Sequence, residues 1–214
     1  MKKRFLIFCF LGLLLCFTAC ADSSVSTSSQ ASSLSSEIAN LDSFEVIQQE
    51  EYYQVLRNDS MDQAYQVFDQ DGNVVLEESV TFHPLTVEMK EEDVVGVYVG
   101  CGTGCSRHQY YSLTRNCLSQ PFYDEVCFDR EMIAYLALRD RETDHPHMVL
   151  VVQNAFDPEQ YYREFALEID PSLVPSAPVR EAKFSADHTQ LSFVYYASVE
   201  DFAEDRKTPM TVEL

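Results

Sequence analysis

Four cysteines stand close together near the middle of the chain: Cys101, Cys105, Cys117 and Cys127. Thiols grouped in this way can oxidise in pairs, hold a metal, or exchange with other disulfides. The spacing is C-x3-C, then eleven residues, then C-x9-C. A structural zinc knuckle uses C-x2-C, whose turn aims two sulfurs at one point, so zinc fits this pattern poorly. A redox pair of the thioredoxin kind needs C-x-x-C at the N-terminus of a helix, where the thiol pKa falls. Neither that spacing nor that setting is present. Pairwise oxidation fits best, and three pairings are open. The local one joins Cys101 to Cys105 and Cys117 to Cys127. An extended stretch from Cys101 to Cys105 would span about 13 Å, whereas a disulfide needs Cα atoms about 6 Å apart. Gly102 and Gly104 let the chain turn back on itself. Cys117 and Cys127 flank 118-LSQPFYDEV-126, a loop or hairpin whose closure would contribute on the order of 3 kcal/mol. All four are therefore disulfide candidates, with a thiol- or metal-dependent sensor as an alternative.

Other groupings also hold residue types that could do chemistry. In 98-YVGCGTGCSRHQYY-111 the Gly-Thr-Gly lacks the longer loop, the Lys and the following helix of a phosphate cradle. Asp69, Asp71 and Asn73 are spaced like calcium ligands, but an EF-hand loop places its Gly sixth and Gly72 falls fourth. The sequence 144-DHPHMV-149 brings Asp144, His145 and His147 together, as a metal site would, yet Pro146 and the flanking charges read as a turn. There is no G-x-S-x-G, no H-E-x-x-H and no Walker loop. No catalytic, cofactor-binding or metal-ligating residue is assigned, and no cofactor is expected. The pairs Tyr52-Tyr53, Tyr110-Tyr111, Tyr161-Tyr162 and Tyr195-Tyr196 each send one ring to either face of a strand. An outward ring could stack on a sugar or peptide, and an inward one supports the sheet.

Short strands must position these residues. Alternating apolar residues on either side of Asp-Gly-Asn predict a hairpin over 65–80. Strands are expected near 45–56, at 85–90, at 94–99 (broken by Gly96 and Gly100), at 110–113, and after a turn at Asp129-Arg130-Glu131. Residues 148–152 are continuously apolar, which predicts a central strand buried on both faces. Asp157-Pro158 could open one helical turn. Alternation then resumes at 165–169, the prolines of 171–179 impose a loop, a hairpin covers 182–197, and an edge strand covers 210–214. About a dozen strands and almost no helix predict an all-β domain of antiparallel meanders, propeller-like or a sandwich.

The N-terminus has a different character. Lys2, Lys3 and Arg4 precede the apolar run 5–17, which is shorter than the ~20 residues of a bilayer span and the length of a signal-peptide core. The run ends in Phe17-Thr18-Ala19-Cys20, which resembles the lipobox of bacterial lipoproteins. That resemblance implies cleavage before Cys20, a lipid on its sulfur and acyl chains that hold the protein to a membrane. Phe17 stands where that family usually has Leu. Cleavage after Ala21, giving a secreted protein, and an uncleaved short anchor are the other readings. The Ser-rich stretch 23-SSVSTSSQASSLSS-36 cannot bury an apolar face and reads as a disordered tether. The expected organisation is a signal peptide at 1–19, a tether at 20–40, and one β-rich extracytoplasmic domain at 41–214, facing outside the cytoplasm.

Net charge sets further limits. It is −20 overall, and residues 1–19 hold three of the 15 Lys and Arg and none of the 35 Asp and Glu, so cleavage leaves about −23. Such a chain is repelled by nucleic acid, which must be met by Lys and Arg. The stretch 184-FSADHTQLSFVY-195 resembles the blade hairpin of β-propeller repeats in periplasmic proteins of the Tol system, through Phe184, Ser185, Asp187, Leu191 and Phe193. His188 stands where that family has Gly, and 129-DREMIAYL-136 looks like a degenerate copy. The resemblance implies a fold and no activity. The expected function is therefore a membrane-anchored, non-enzymatic binding or scaffolding domain for an extracellular protein, peptide or glycan. The alternative is an exported hydrolase of envelope polymers.

Overall fold

In the computed structural model, residues 41–102, 105–142, 146–170, 172–173 and 178–214 are described. They form four antiparallel sheets laid down in chain order, so the all-β expectation holds. The first sheet contains β1 (Glu45–Gln49), β2 (Tyr53–Arg57), β3 (Gln63–Phe68) and β4 (Val74–Val80). The second contains β5 (Leu85–Glu91), β6 (Val94–Gly102), β7 (Cys105–Ser112) and β8 (Cys117–Leu118), with the short β9 (Phe122–Tyr123) also paired to β7. The third contains β10 (Glu125–Asp129), β11 (Met132–Arg139), β12 (His147–Asn154) and β13 (Tyr162–Leu167). The fourth contains β14 (Val179–Phe184), β15 (Gln190–Tyr195) and β16 (Thr208–Glu213). Every sheet is a meander in which each main strand pairs with its neighbour in sequence.

Side-chain alternation joins these sheets. Tyr53, Val55, Tyr65 and Val67 of the first sheet pack against Val95, Val97, Val99 and Tyr111 of the second. The opposite face of the second sheet, through Val94, Tyr110 and Phe122, packs on Ile133, Tyr135 and Phe128 of the third. Ala134, Leu136, Leu150 and Val152 leave the far face of the third sheet and meet Phe184, Leu191, Phe193 and Val212 of the fourth. The second and third sheets are thus covered on both sides. This explains the unbroken apolar run at 148–152, where every residue is buried, because a strand with no wet face has no polar alternation to show.

Several local expectations are corrected. The stretch 45–56 is two strands joined by a turn, and all five residues of β1 are exposed. Gly96 and Gly100 do not break β6, which runs through both. A Cβ at Gly96 would meet Lys90 Cγ at 2.7 Å and the Tyr110 ring at 3.3 Å, and one at Gly100 would meet Pro84 at 2.9 Å. These glycines admit neighbours rather than end a strand. Asp157-Pro158 forms a turn closed by Gln160 N donating to Asp157 O, without a helix. The helix instead falls at α1 (Val199–Ala203), where the Ser198 side chain accepts from Asp201 N as an N-cap. Part of the proline loop lies outside the described residues, as do the signal peptide, Cys20 and the tether.

Leu150 is fully buried between the third and fourth sheets. Leu150→Ala is expected to cost about 2–5 kcal/mol in urea unfolding followed by circular dichroism. Val46→Ala, on the exposed β1, is expected to stay within about 0.5 kcal/mol of wild type.

Candidate functional site

The hairpin between β6 and β7 resolves the cysteine question at its own tip. Cys101 and Cys105 are joined by a disulfide with Cα atoms 5.1 Å apart. Gly102 takes a φ of 123°, a left-handed value that a side chain would strain. Thr103 and Gly104 lie outside the described residues. Cys117 and Cys127 are not joined: each is a free thiol. The physical reason is that they serve different sheets. Cys117 is paired opposite Ser112 in the second sheet, while Cys127 belongs to β10 and packs toward the core of the third and fourth. Burial pushes the Cys117 thiol up, and burial with Glu125 and Asp129 nearby pushes Cys127 up to about 12. Both thiols are therefore protonated and poorly nucleophilic at neutral pH.

Behind the disulfide, Arg107 and His108 point to opposite faces of β7. The Arg107 guanidinium donates to Glu78 of β4, and the Tyr65 hydroxyl donates to the same carboxylate at 2.8 Å. This ties the second sheet to the first. His108 Nδ1 lies 2.9 Å from Glu125 of β10, and the Tyr110 hydroxyl donates to that carboxylate as well. This ties the second sheet to the third. The His108 and Glu125 side chains are only 15% and 9% exposed, so the contact is shielded from water and salt. A further pair, His188 Nε2 to Asp129 Oδ2 at 3.0 Å, ties the fourth sheet to the third. Glu78 and Glu125 were not readable as partners from the sequence, because they lie on other sheets.

The remaining candidate ligands are occupied or lie outside the described residues. The Asp69 carboxylate accepts from Asp71 N, Asn73 N and Asn73 Nδ2, which caps the β3–β4 turn. Hydrogen bonds, the Asn73 side chain's foremost, hold its pKa below the ordinary carboxylate value. His147 opens β12 and sits 3.4 Å from Asp140, while Asp144 and His145 fall outside the described residues. Among the described residues no group of three or more His, Cys, Asp or Glu is placed to hold a metal. The tyrosine pairs divide as well. Tyr110 and Tyr111 are both buried, one toward each neighbouring sheet, whereas Tyr162 is exposed.

Two clefts remain. The first, about 400 Å³, lies where the segment leading into β10 faces β11. Phe122, Leu138 and Met148 supply apolar wall, and Asp124, Arg139 and Arg141 supply charge. Asp124 has a φ of 54°, and its Oδ1 is buried with no hydrogen-bond partner. Burial raises its pKa, against the opposing charges of His108 and Arg141. Arg139 is held by Glu164 at 2.6 Å and by Tyr162 Oη at 3.1 Å. Arg141 is exposed at the cleft, and no hydrogen bond or ion pair to another described residue holds it. The second cleft, about 420 Å³, is lined by Glu91, Glu92, Asp93, Arg130 and Glu131. Its carboxylates are largely engaged. Asp93 accepts from Thr114 Oγ1 at 2.6 Å, Glu131 is gripped by Arg115 and Asn154, and Glu91 accepts from Arg130 N. Neither cleft was readable from the sequence, since each is assembled from residues of two sheets.

No known protein family model matches the chain, and no curated protein matches it.

Two outcomes follow from the cysteines and the clasp. In peptide mapping of the unreduced chain, Cys101 and Cys105 are expected in one linked species. Cys117 and Cys127 should be alkylated quickly only after denaturation, with native labelling at pH 8 slow at Cys127. Glu125→Leu would leave His108 and the Tyr110 hydroxyl facing an apolar group. It is expected to destabilise the domain by about 1–3 kcal/mol in chemical denaturation.

Proposed function

We propose that this chain is a bacterial lipoprotein. In this reading it is held to a membrane by lipid on Cys20, faces outside the cytoplasm, and presents a β-domain that binds a ligand without transforming it. The observation that carries the anchor is the run from Lys2 to Cys20: cations, an apolar core and a small residue before cysteine. No helix of the described residues is long and apolar enough to cross a membrane. A lipid anchor would serve instead, since each buried CH₂ contributes about 0.8 kcal/mol and two or more chains give stable attachment. The Cys101–Cys105 disulfide is in keeping with an oxidising compartment.

The cleft beside Asp124 is the binding site in this reading. It joins apolar wall to a few polar groups, which is the usual make-up of a small-molecule site. A glycosidase would need two carboxylates free to act across one cleft. The Asp124 cleft offers one, and in the acidic cleft Asp93, Glu91 and Glu131 are already engaged. The hydrolase alternative is therefore the weaker reading.

The blade-like resemblance gains support from turn geometry. His188 takes a φ of 55°, as suits a position where the Tol-system repeats have Gly, and Arg130, which follows Asp129 as His188 follows Asp187, takes 56°.

The test is metabolic labelling with radioactive palmitate. Wild-type protein is expected to take up label, sediment with membranes and have a mature N-terminus at Cys20. Cys20→Ser should take up none. Unlabelled wild type in the soluble fraction would remove the anchor from the proposal. Turnover of glycosidase, esterase or peptidase substrates by the purified protein would favour the hydrolase.

A further inference from the structure

Resting on the reading of the Asp124 cleft as a ligand site, we infer that its ligand is a short zwitterion of the amino-acid or dipeptide class, its ammonium on Asp124 and its carboxylate on Arg141. The two residues line one cleft of about 400 Å³. They are close enough for the Arg141 charge to act on Asp124, yet they form no ion pair. The Asp124 carboxylate lines the cleft and accepts no hydrogen bond from another described residue, so an ammonium in the cleft would be its donor. Arg141 lacks an acceptor among the described residues, and a carboxylate matches its planar fork. Arg139 is already committed to Glu164 and Tyr162, so Arg141 is the one of the two without a partner among the described residues.

Charge balance selects this class over others. A neutral polyol would make no use of either charge. A simple anion would satisfy Arg141 alone and would approach against the field of a chain at −20. A simple cation would satisfy Asp124 and face Arg141 as a like charge. One molecule bearing both signs settles both sites. Between them the wall is apolar, through Phe122, Leu138 and Met148, with Tyr123 half-exposed at the edge. That suits the aliphatic or aromatic side chain of such a ligand. The volume lies near the low end of the roughly 300–1,000 Å³ seen for small-ligand pockets, which limits it to a few residues.

The full-length protein in detergent would be titrated, by calorimetry and tyrosine fluorescence, with four probes. These are a set of alanyl dipeptides, the same dipeptides N-acetylated, the same as C-terminal amides, and chitobiose. Free dipeptides are expected to bind, and each blocked form to bind about tenfold or more weakly. In Asp124→Asn the free and N-acetylated forms should bind alike, and in Arg141→Gln the free and amidated forms should bind alike, with circular dichroism of both variants unchanged. Blocked peptides binding as tightly as free ones, or chitobiose alone binding, would overturn the zwitterion assignment while leaving the cleft as a ligand site. No response to any probe would overturn both.

Discussion

β7 has a neighbouring sheet packed against each of its two faces. Arg107 and Tyr111 turn toward the first sheet, and His108 and Tyr110 turn toward the third. Charged groups placed on such a strand must find partners across the interface, because an unpaired buried charge costs several kcal/mol. Glu78 and Glu125 are those partners, and each also takes a tyrosine hydroxyl. A slip of one residue would send every side chain of β7 to the opposite sheet. It would bring Arg107 and Tyr111 to the sheet that carries Glu125 and take His108 and Tyr110 to the sheet that carries Glu78. Tyr110 would then lose its stacking on Phe128, where the ring centres are 4.0 Å apart. The clasps add little net energy beyond offsetting their own desolvation. Their effect is on register: they allow one alignment of the central sheets.

This constraint explains what the sequence could and could not disclose. Strands with a wet face announce themselves by alternation, and the hairpin across Asp69–Asn73 was legible for that reason, as was 182–197. Residues 148–152 were legible as buried on both faces because the run is wholly apolar. The same rule misled at Gly96 and Gly100, where glycine marks close approach by Tyr110, Lys90 and Pro84. Local pattern carries no record of what lies across an interface. The helix at Val199–Ala203 was missed because five residues show no periodicity, although Ser198 with Asp201 was a readable cap. The Cys101–Cys105 pairing was legible from its glycines. The separation of Cys117 from Cys127 depended on which sheet each joins, and no spacing states that.

The cleft beside Asp124 belongs to the same category. Its residues come from a segment that closes the second sheet and a strand that lies in the third. Pro121 and the left-handed Asp124 shape the entry into β10, while Leu136 N donates to Asp124 O and fixes the distance between the walls. Its geometry therefore depends on the clasp beneath it, since Glu125 is the next residue along. The proposed ligand site and the His108–Glu125 clasp share one peptide unit. In the proposed role, anything that loosens His108 from Glu125 would also disturb the ligand's footing.

The order of the sheets has a consequence for how the chain reaches this state. Each main strand pairs with its neighbour in sequence, and each core joins sheets that are consecutive along the chain. Nearly all pairing is therefore local in sequence, and β-proteins of low contact order fold faster than those built from distant pairings. A polypeptide emerging from a ribosome or a translocation pore could complete one meander before the next had appeared. The assembly can proceed vectorially, each finished sheet serving as the template on which its successor condenses.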